Sequence, residues 1–129
     1  MANAPLRGCP TCGTRIKDVD MGLRDYTWLS PMLPGNVAPM DIDSILERNG
    51  HFLVMEYKPE GASIGMGQRI TLKQMVRKGF DVWVVWGNGP IEVGAMDKYG
   101  DVKFVDKMSR EKLAERAVEW FNQADKDRP

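Results

Sequence analysis

The chain has 129 residues, with 18 Lys and Arg against 18 Asp and Glu, two cysteines and one histidine. That length suits one domain with a single core rather than a two-domain enzyme, and 43% hydrophobic with 28% charged residues is the make-up of an ordinary globular chain. No apolar run approaches the roughly 20 residues that cross a bilayer, and the N-terminus has neither a basic lead nor an apolar h-region, so a cytoplasmic protein is expected. Zero net charge speaks against a polybasic coat on nucleic acid.

The charges are not evenly spread. Residues 41–60 hold Asp41, Asp43, Glu47, Glu56 and Glu60, whereas residues 61–80 hold Arg69, Lys73, Arg77 and Lys78 and no acid. An acidic stretch is followed at once by a basic one.

In chain order, residues 1–38 read as an N-terminal segment that is mostly loop, with prolines at 5, 10, 31 and 34 and a short helical turn near Arg24 to Leu29. Within it, Cys9-Pro10-Thr11-Cys12-Gly13 looks like one knuckle of a Zn²⁺ site, whose thiolates favour tetrahedral coordination. Four ligands are needed, and within the chain only His51, placed at a hairpin tip, could supply a third, so two copies share a zinc across a homodimer, or Cys9 and Cys12 are reduced thiols in a flexible tail, or they are the remnant of a longer zinc ribbon. A structural disulfide is disfavoured in a reducing compartment.

From Asp41 to Pro59 the pattern is strand-like and broken at Asn49-Gly50, a favoured pair for a two-residue hairpin turn. The loop Gly61-Ala62-Ser63-Ile64-Gly65-Met66-Gly67 lacks the Gly-Lys-Ser/Thr ending of a P-loop and reads as a flexible rim. A helix is expected over 68–78, with Leu72, Met75, Val76 and Gly79 on one stripe. Asp81 to Trp86 is then a nearly continuous apolar run, a buried strand. Strand, helix and strand should make a crossover with the two strands parallel. Ile91 to Met96 and Val102 to Val105 suggest a second hairpin. Ser109 caps a final helix with Leu113, Ala117, Trp120, Phe121 and Ala124 on its stripe. The expected class is α/β or α+β, a small mixed sheet flanked by helices.

Counting outward from Asn49-Gly50 sets Arg48 opposite His51, Leu46 opposite Leu53, Asp43 opposite Glu56 and Asp41 opposite Lys58. Alternation then places Asp41, Asp43, Glu56 and Lys58 on one side of the hairpin. Opposed carboxylates with Cβ atoms about 5 Å apart repel each other, and a divalent cation between them removes the penalty. Lys58 reaches the same space with a positive charge. Such a set suits phosphodiester hydrolysis. The plainer alternative is a solvated edge hairpin whose charges balance across strands.

Pro39-Met40-Asp41-Ile42-Asp43, then Phe52-Leu53-Val54-Met55-Glu56-Tyr57-Lys58, then Gly67-Gln68 opening a helix, together resemble the PD-(D/E)xK nuclease superfamily of restriction endonucleases, Holliday-junction resolvases and virus-type nucleases. The resemblance covers about residues 39 to 86, roughly a third of the chain, and would make residues 39–129 a nuclease-like domain with a restriction-endonuclease-like core. It implies Mg²⁺ or Mn²⁺ held by Asp43 (or Asp41), Glu56 and the backbone carbonyl of Tyr57, with Lys58 positioning the water and Gln68 beside the site. The family's upstream acid falls best on Asp25, ahead of Asp18 and Asp20; no Glu precedes residue 47, which leaves a second metal without its usual ligand.

At about 100° per residue Gln68 lies in the middle of the packing stripe, where a polar side chain wants a partner, unless the first turn frays and solvates it. Arg69, Lys73 and Arg77 line the adjacent flank, where they could meet a DNA backbone or simply face water. The expected function is a metal-dependent, structure-selective DNA endonuclease of phage or mobile-element type. Its rival is a catalytically inactive module of the same fold that binds nucleic acid or a protein partner.

Overall fold

The computed structural model describes residues 27–128 and, ahead of them, the backbone of two short strands, β1 (Arg7–Gly8) and β2 (Arg15–Ile16). The chain divides into two units, Met1–Pro39 and Met40–Pro129. In the first, β1 and β2 pair antiparallel, Arg7 with Ile16 and Gly8 with Arg15, so they bracket the segment that contains both cysteines. Its described remainder is two short 3₁₀ turns, Ser30–Met32 and Pro34–Asn36, each opened by a proline within its first two positions, where the missing N–H costs no hydrogen bond. The helical turn expected from Arg24 is a hydrogen-bonded turn at 27–29 running into 3₁₀ structure; its start lies outside the described residues.

The second unit is a five-stranded mixed sheet with a helix on each face. Its strands are β3 (Ser44–Arg48), β4 (His51–Lys58), β5 (Asp81–Trp86), β6 (Ile91–Met96) and β7 (Val102–Met108), adjacent in that order. Helix α1 (Met66–Arg77) links β4 to β5, which run parallel; the other neighbours are antiparallel. Asn49 and Gly50 both take positive φ, 51° and 82°, the requirement of a type I′ turn whose twist suits a hairpin. That turn fixes the register, from Arg48 opposite His51 to Ser44 opposite Met55.

The ladder stops there. Asp41 and Asp43 precede β3, so the expected Asp41–Lys58 and Asp43–Glu56 strand pairs are not formed. The Asp43 side chain instead accepts the Tyr57 N–H through Oδ2 at 2.8 Å, and a side-chain acceptor of this kind competes with the backbone ladder.

Alternation sorts the sheet into two faces. Val54, Val82, Val84 and Met96 pack with Leu72 of α1 and Ile64 before it, and Met40, Phe80 and Trp86 flank this cluster. On the opposite face Val85, Ile91 and Val93 pack with Leu113 of α2 (Arg110–Lys126). Leu53, Val54, Leu72 and Val84 are wholly buried, and truncating any of them to Ala should cost roughly 2–5 kcal/mol.

Ser109 Oγ accepts the Lys112 N–H at 3.1 Å, as expected of the cap of α2. The far end of α2 is tied to the β3–β4 turn: Arg48 Nε donates to Asp125 Oδ1 at 2.6 Å, Asn49 Nδ2 donates to the Ala124 and Asp125 carbonyls, and His51 Nε2 lies 2.6 Å from Asp127 Oδ2. Between β6 and β7 the register slips by one residue, between Val93 and Ala95. The extra residue is accommodated at Phe104, which has φ 57° and is 86% exposed. Opposite it, Gly94 admits Val102 and Val105 so closely that an added Cβ would stand 2.9 Å from Val105 Cγ2. Among the described residues no helix is long and apolar enough to cross a membrane.

Candidate active site

Phe52, Val54, Glu56 and Lys58 share one face of β4, because side chains alternate and Val54 belongs to the α1 cluster. Glu56 therefore points into the core side of the sheet and is only 4% exposed. A carboxylate so placed must be hydrogen-bonded, protonated or paired with a cation.

One oxygen has a protein partner. Gln68, in the first turn of α1, donates through Nε2 to Glu56 Oε1. The helix stripe carries Gln68 to the carboxylate, so the polar residue in a sheet-facing position has the partner it requires. The other oxygen, Oε2, is buried and makes no hydrogen bond.

Asp43 lies beside Glu56. Burial, then the Asp43 charge, then the closeness of the Asp43 carboxyl group all raise the Glu56 pKa above its ordinary value of 4.5, while the Lys58 charge and the Gln68 amide pull it down. The upward influences win. Two carboxyl groups this close repel each other when both are ionised, so a proton or a positive charge between Glu56 and Asp43 would relieve the pair.

The Tyr57 N–H points away from β5 toward Asp43, and the carbonyl of a strand residue faces the same edge as its N–H. The Tyr57 carbonyl is thus on the Asp43 side. Lys58 faces the other way along its backbone, accepting the Gly87 N–H at 3.0 Å. Helix α1 starts at Met66 with no side-chain cap and no acid in its first turn, which leaves the positive end of its dipole near this group.

Among the described residues no group of three or more His, Cys, Asp and Glu side chains gathers to hold a metal. The carboxylates brought together are those of Asp43 and Glu56, with the Tyr57 carbonyl on the Asp43 edge of the strand; oxygens of this kind are the ones a hard cation takes. Asp41 stands at the approach to β3, exposed and engaged in interactions of its own. Cys9, Cys12 and Asp25 lie outside the described residues.

The basic flank of α1 has intramolecular partners. Arg69 Nη1 donates to the Gly100 carbonyl at 2.7 Å and lies 3.6 Å from Asp101, and Arg77 Nε donates to the Lys98 carbonyl at 2.8 Å. The stems of Arg69 and Lys73 rest against Gly100. These contacts hold α1 against the turn between β6 and β7. In that turn burial pushes Asp97 up, but the Asp101 and Tyr99 N–H groups and Lys103 outweigh it and hold its carboxyl below the ordinary value. Helical spacing reveals which residues share a flank; it carries no sign that a loop 21 to 31 residues later will cover it.

Trp86 was not a site residue on sequence grounds. It is the register partner of both Lys58 and Glu92, and the one hint was a second tryptophan closing a mostly apolar strand that already carries Trp83. No protein-family model, no curated protein and no solved structure matches this chain.

Proposed function

We propose that this chain is a divalent-metal-dependent deoxyribonuclease that hydrolyses phosphodiester bonds. The observation that carries the proposal is the buried Glu56 carboxylate, with Oε1 held by Gln68, Oε2 without a hydrogen bond, and the Asp43 charge close by. A structural salt bridge would have given Oε2 a partner. The order of hairpin, helix and parallel strand, with Asp43 before one strand, Glu56 and Lys58 on the next and Gln68 opening the helix, is also what the PD-(D/E)xK resemblance implies, and it supports a restriction-endonuclease-like core.

Asp43, Glu56 and the Tyr57 carbonyl would hold the cation. When bound, Mg²⁺ or Mn²⁺ would neutralise charge on the phosphoryl oxygens and acidify water at neutral pH. The protein's own residues do the rest. Gln68 fixes Oε1 and leaves Oε2 as the oxygen that would be offered to the cation. Lys58, on the same face two residues on, supplies a positive charge that orients the attacking water and offsets charge developing on the phosphate. The uncapped start of α1 adds favourable potential for the same anion.

The test is incubation of the full chain with supercoiled, linear, single-stranded and branched DNA in Mg²⁺ or Mn²⁺ and in EDTA, beside Glu56→Ala and Lys58→Ala. Cation-dependent cutting that both variants lose by at least about 10²-fold is expected. Failure to cut any DNA, or variants as active as the parent, would overturn the proposal.

A further inference from the structure

Next to this group lies a cavity of about 430 Å³ lined by Trp86, Glu60, Glu92, Ala62, Pro90 and Val105, within the roughly 300–1,000 Å³ common for small-ligand sites. Trp86 packs with the α1-side cluster, so it shares the face of Glu56 and Lys58. It sits directly across from Lys58 in the β4–β5 register. With strands about 4.8 Å apart and about 3.3 Å per residue, its Cα is about 8 Å from that of Glu56.

The indole is held in place and its polar atom is used. Trp86 Nε1 donates to the Ala62 carbonyl at 2.8 Å, which fixes the ring plane and leaves only its π surface to offer. Around it stand the carboxylates of Glu60 and Glu92, both exposed and, among the described residues, engaged in no hydrogen bond or ion pair. No basic side chain lines the cavity. Such walls repel phosphate and accept hydrogen bonds from amino groups, while a fixed aromatic face stacks on a flat heterocycle.

We propose that this cavity seats one unpaired nucleobase bearing an exocyclic amine, next to the phosphodiester held at Asp43, Glu56 and Lys58. The proposal rests on the nuclease reading and deepens it. A base in a Watson–Crick pair has its amine occupied and its faces stacked, so the seat selects single-stranded, frayed or flapped DNA. Thymine, which lacks the amine, is the base it should take least well.

Binding is measured apart from cutting, by anisotropy of short labelled oligodeoxycytidylate and oligothymidylate in EDTA. The parent protein should bind the cytosine strand more tightly. Trp86→Ala should weaken that binding roughly 5- to 150-fold, the range found when a stacking aromatic is removed. Trp86→Phe, which keeps a stacking ring and guards against a folding defect, should retain most of it. Glu92→Gln, at an exposed position, should abolish the preference for cytosine over thymine. Equal binding of the two strands, no binding of either, or indifference to both Trp86→Ala and Glu92→Gln overturns the seat, whether or not the protein cuts DNA. Displacement of the cytosine strand by spermidine but not by deoxycytidine would mark the cavity as a cation site and overturn it too. If the cytosine preference holds while no DNA is ever cut, the seat stands and the nuclease reading falls.

Discussion

Glu56→Gln is expected to make the metal-free protein more stable at neutral and mildly alkaline pH, although it removes a charge from the heart of the site. The folded-state pKa of Glu56 lies above 4.5. Below 4.5 the carboxyl is protonated in both folded and unfolded chains and costs nothing. As pH rises, the unfolded chain ionises first, and stability is lost until the folded pKa is reached, by about 1.4 kcal/mol for each pH unit separating the two values. Gln titrates nowhere in that window, and its amide can donate to Asp43, so the unsatisfied position at Oε2 disappears. Relieving a buried unpaired acceptor is worth ~1–3 kcal/mol, and at about 4–8 °C per kcal/mol for a domain of this size the Tm should rise by at least ~4 °C. Thermal unfolding across pH in EDTA measures it directly. With Mg²⁺ the ranking should close: at ten times its Kd a cation that binds only the folded protein adds ~1.4 kcal/mol to the parent and nothing to the variant. The reasoning is refuted if Glu56→Gln is no more stable than the parent in EDTA at mildly alkaline pH, or if Mg²⁺ raises both melting temperatures alike.

Three further outcomes are expected. Phe104→Gly should raise Tm, because a non-glycine residue at φ 57° carries about 1–2 kcal/mol of left-handed strain and this side chain is almost fully exposed; calorimetry showing a loss would refute the strain at this position. Gly100→Ala should destabilise by more than ~1 kcal/mol in urea titration, since φ is 85° and the new Cβ would stand 3.3 Å from Arg69 Cγ. Metal analysis should find zinc near half an equivalent per chain, lost in Cys12→Ser, if two copies share the Cys9 and Cys12 thiolates; absence of zinc in the purified protein would leave those residues as plain thiols.

Much of the second unit could be read from local chemistry. Asn49-Gly50 determined the β3–β4 register because only such a pair takes two successive positive φ values cheaply, and Ser109 marked the start of α2 because its hydroxyl satisfies a free N–H. The pairing of β4 with β5 followed from a buried strand, an amphipathic helix and another buried strand. Helix α1 begins at Met66, two residues before its expected start, since the glycines at 65 and 67 lower local helix propensity without forbidding the first turn. Counting could not foresee where the ladder would end: Asp43 exchanges a strand pairing for a side-chain bond to the Tyr57 N–H, and that exchange brings its carboxylate to Glu56. Nor could it foresee that Arg69 and Arg77 would grip the 97–101 turn, because that contact is long-range. Gln68 was legible for the opposite reason, since a polar residue on a packing stripe had few places to go.

The bulge at Phe104 also governs how this sheet can meet other chains. A straight outer strand presents a flat row of backbone donors and acceptors, the template on which aggregates and strand exchanges are built. At β7 the left-handed residue twists that row out of line midway along the strand, and Lys103 and Lys107 stand on either side of it. Among the described residues the opposite border carries no bulge: β3 is five residues long and regular, with Ile45 half exposed. Among the described residues, then, β7 is the poorer template for strand addition and β3 the more regular one.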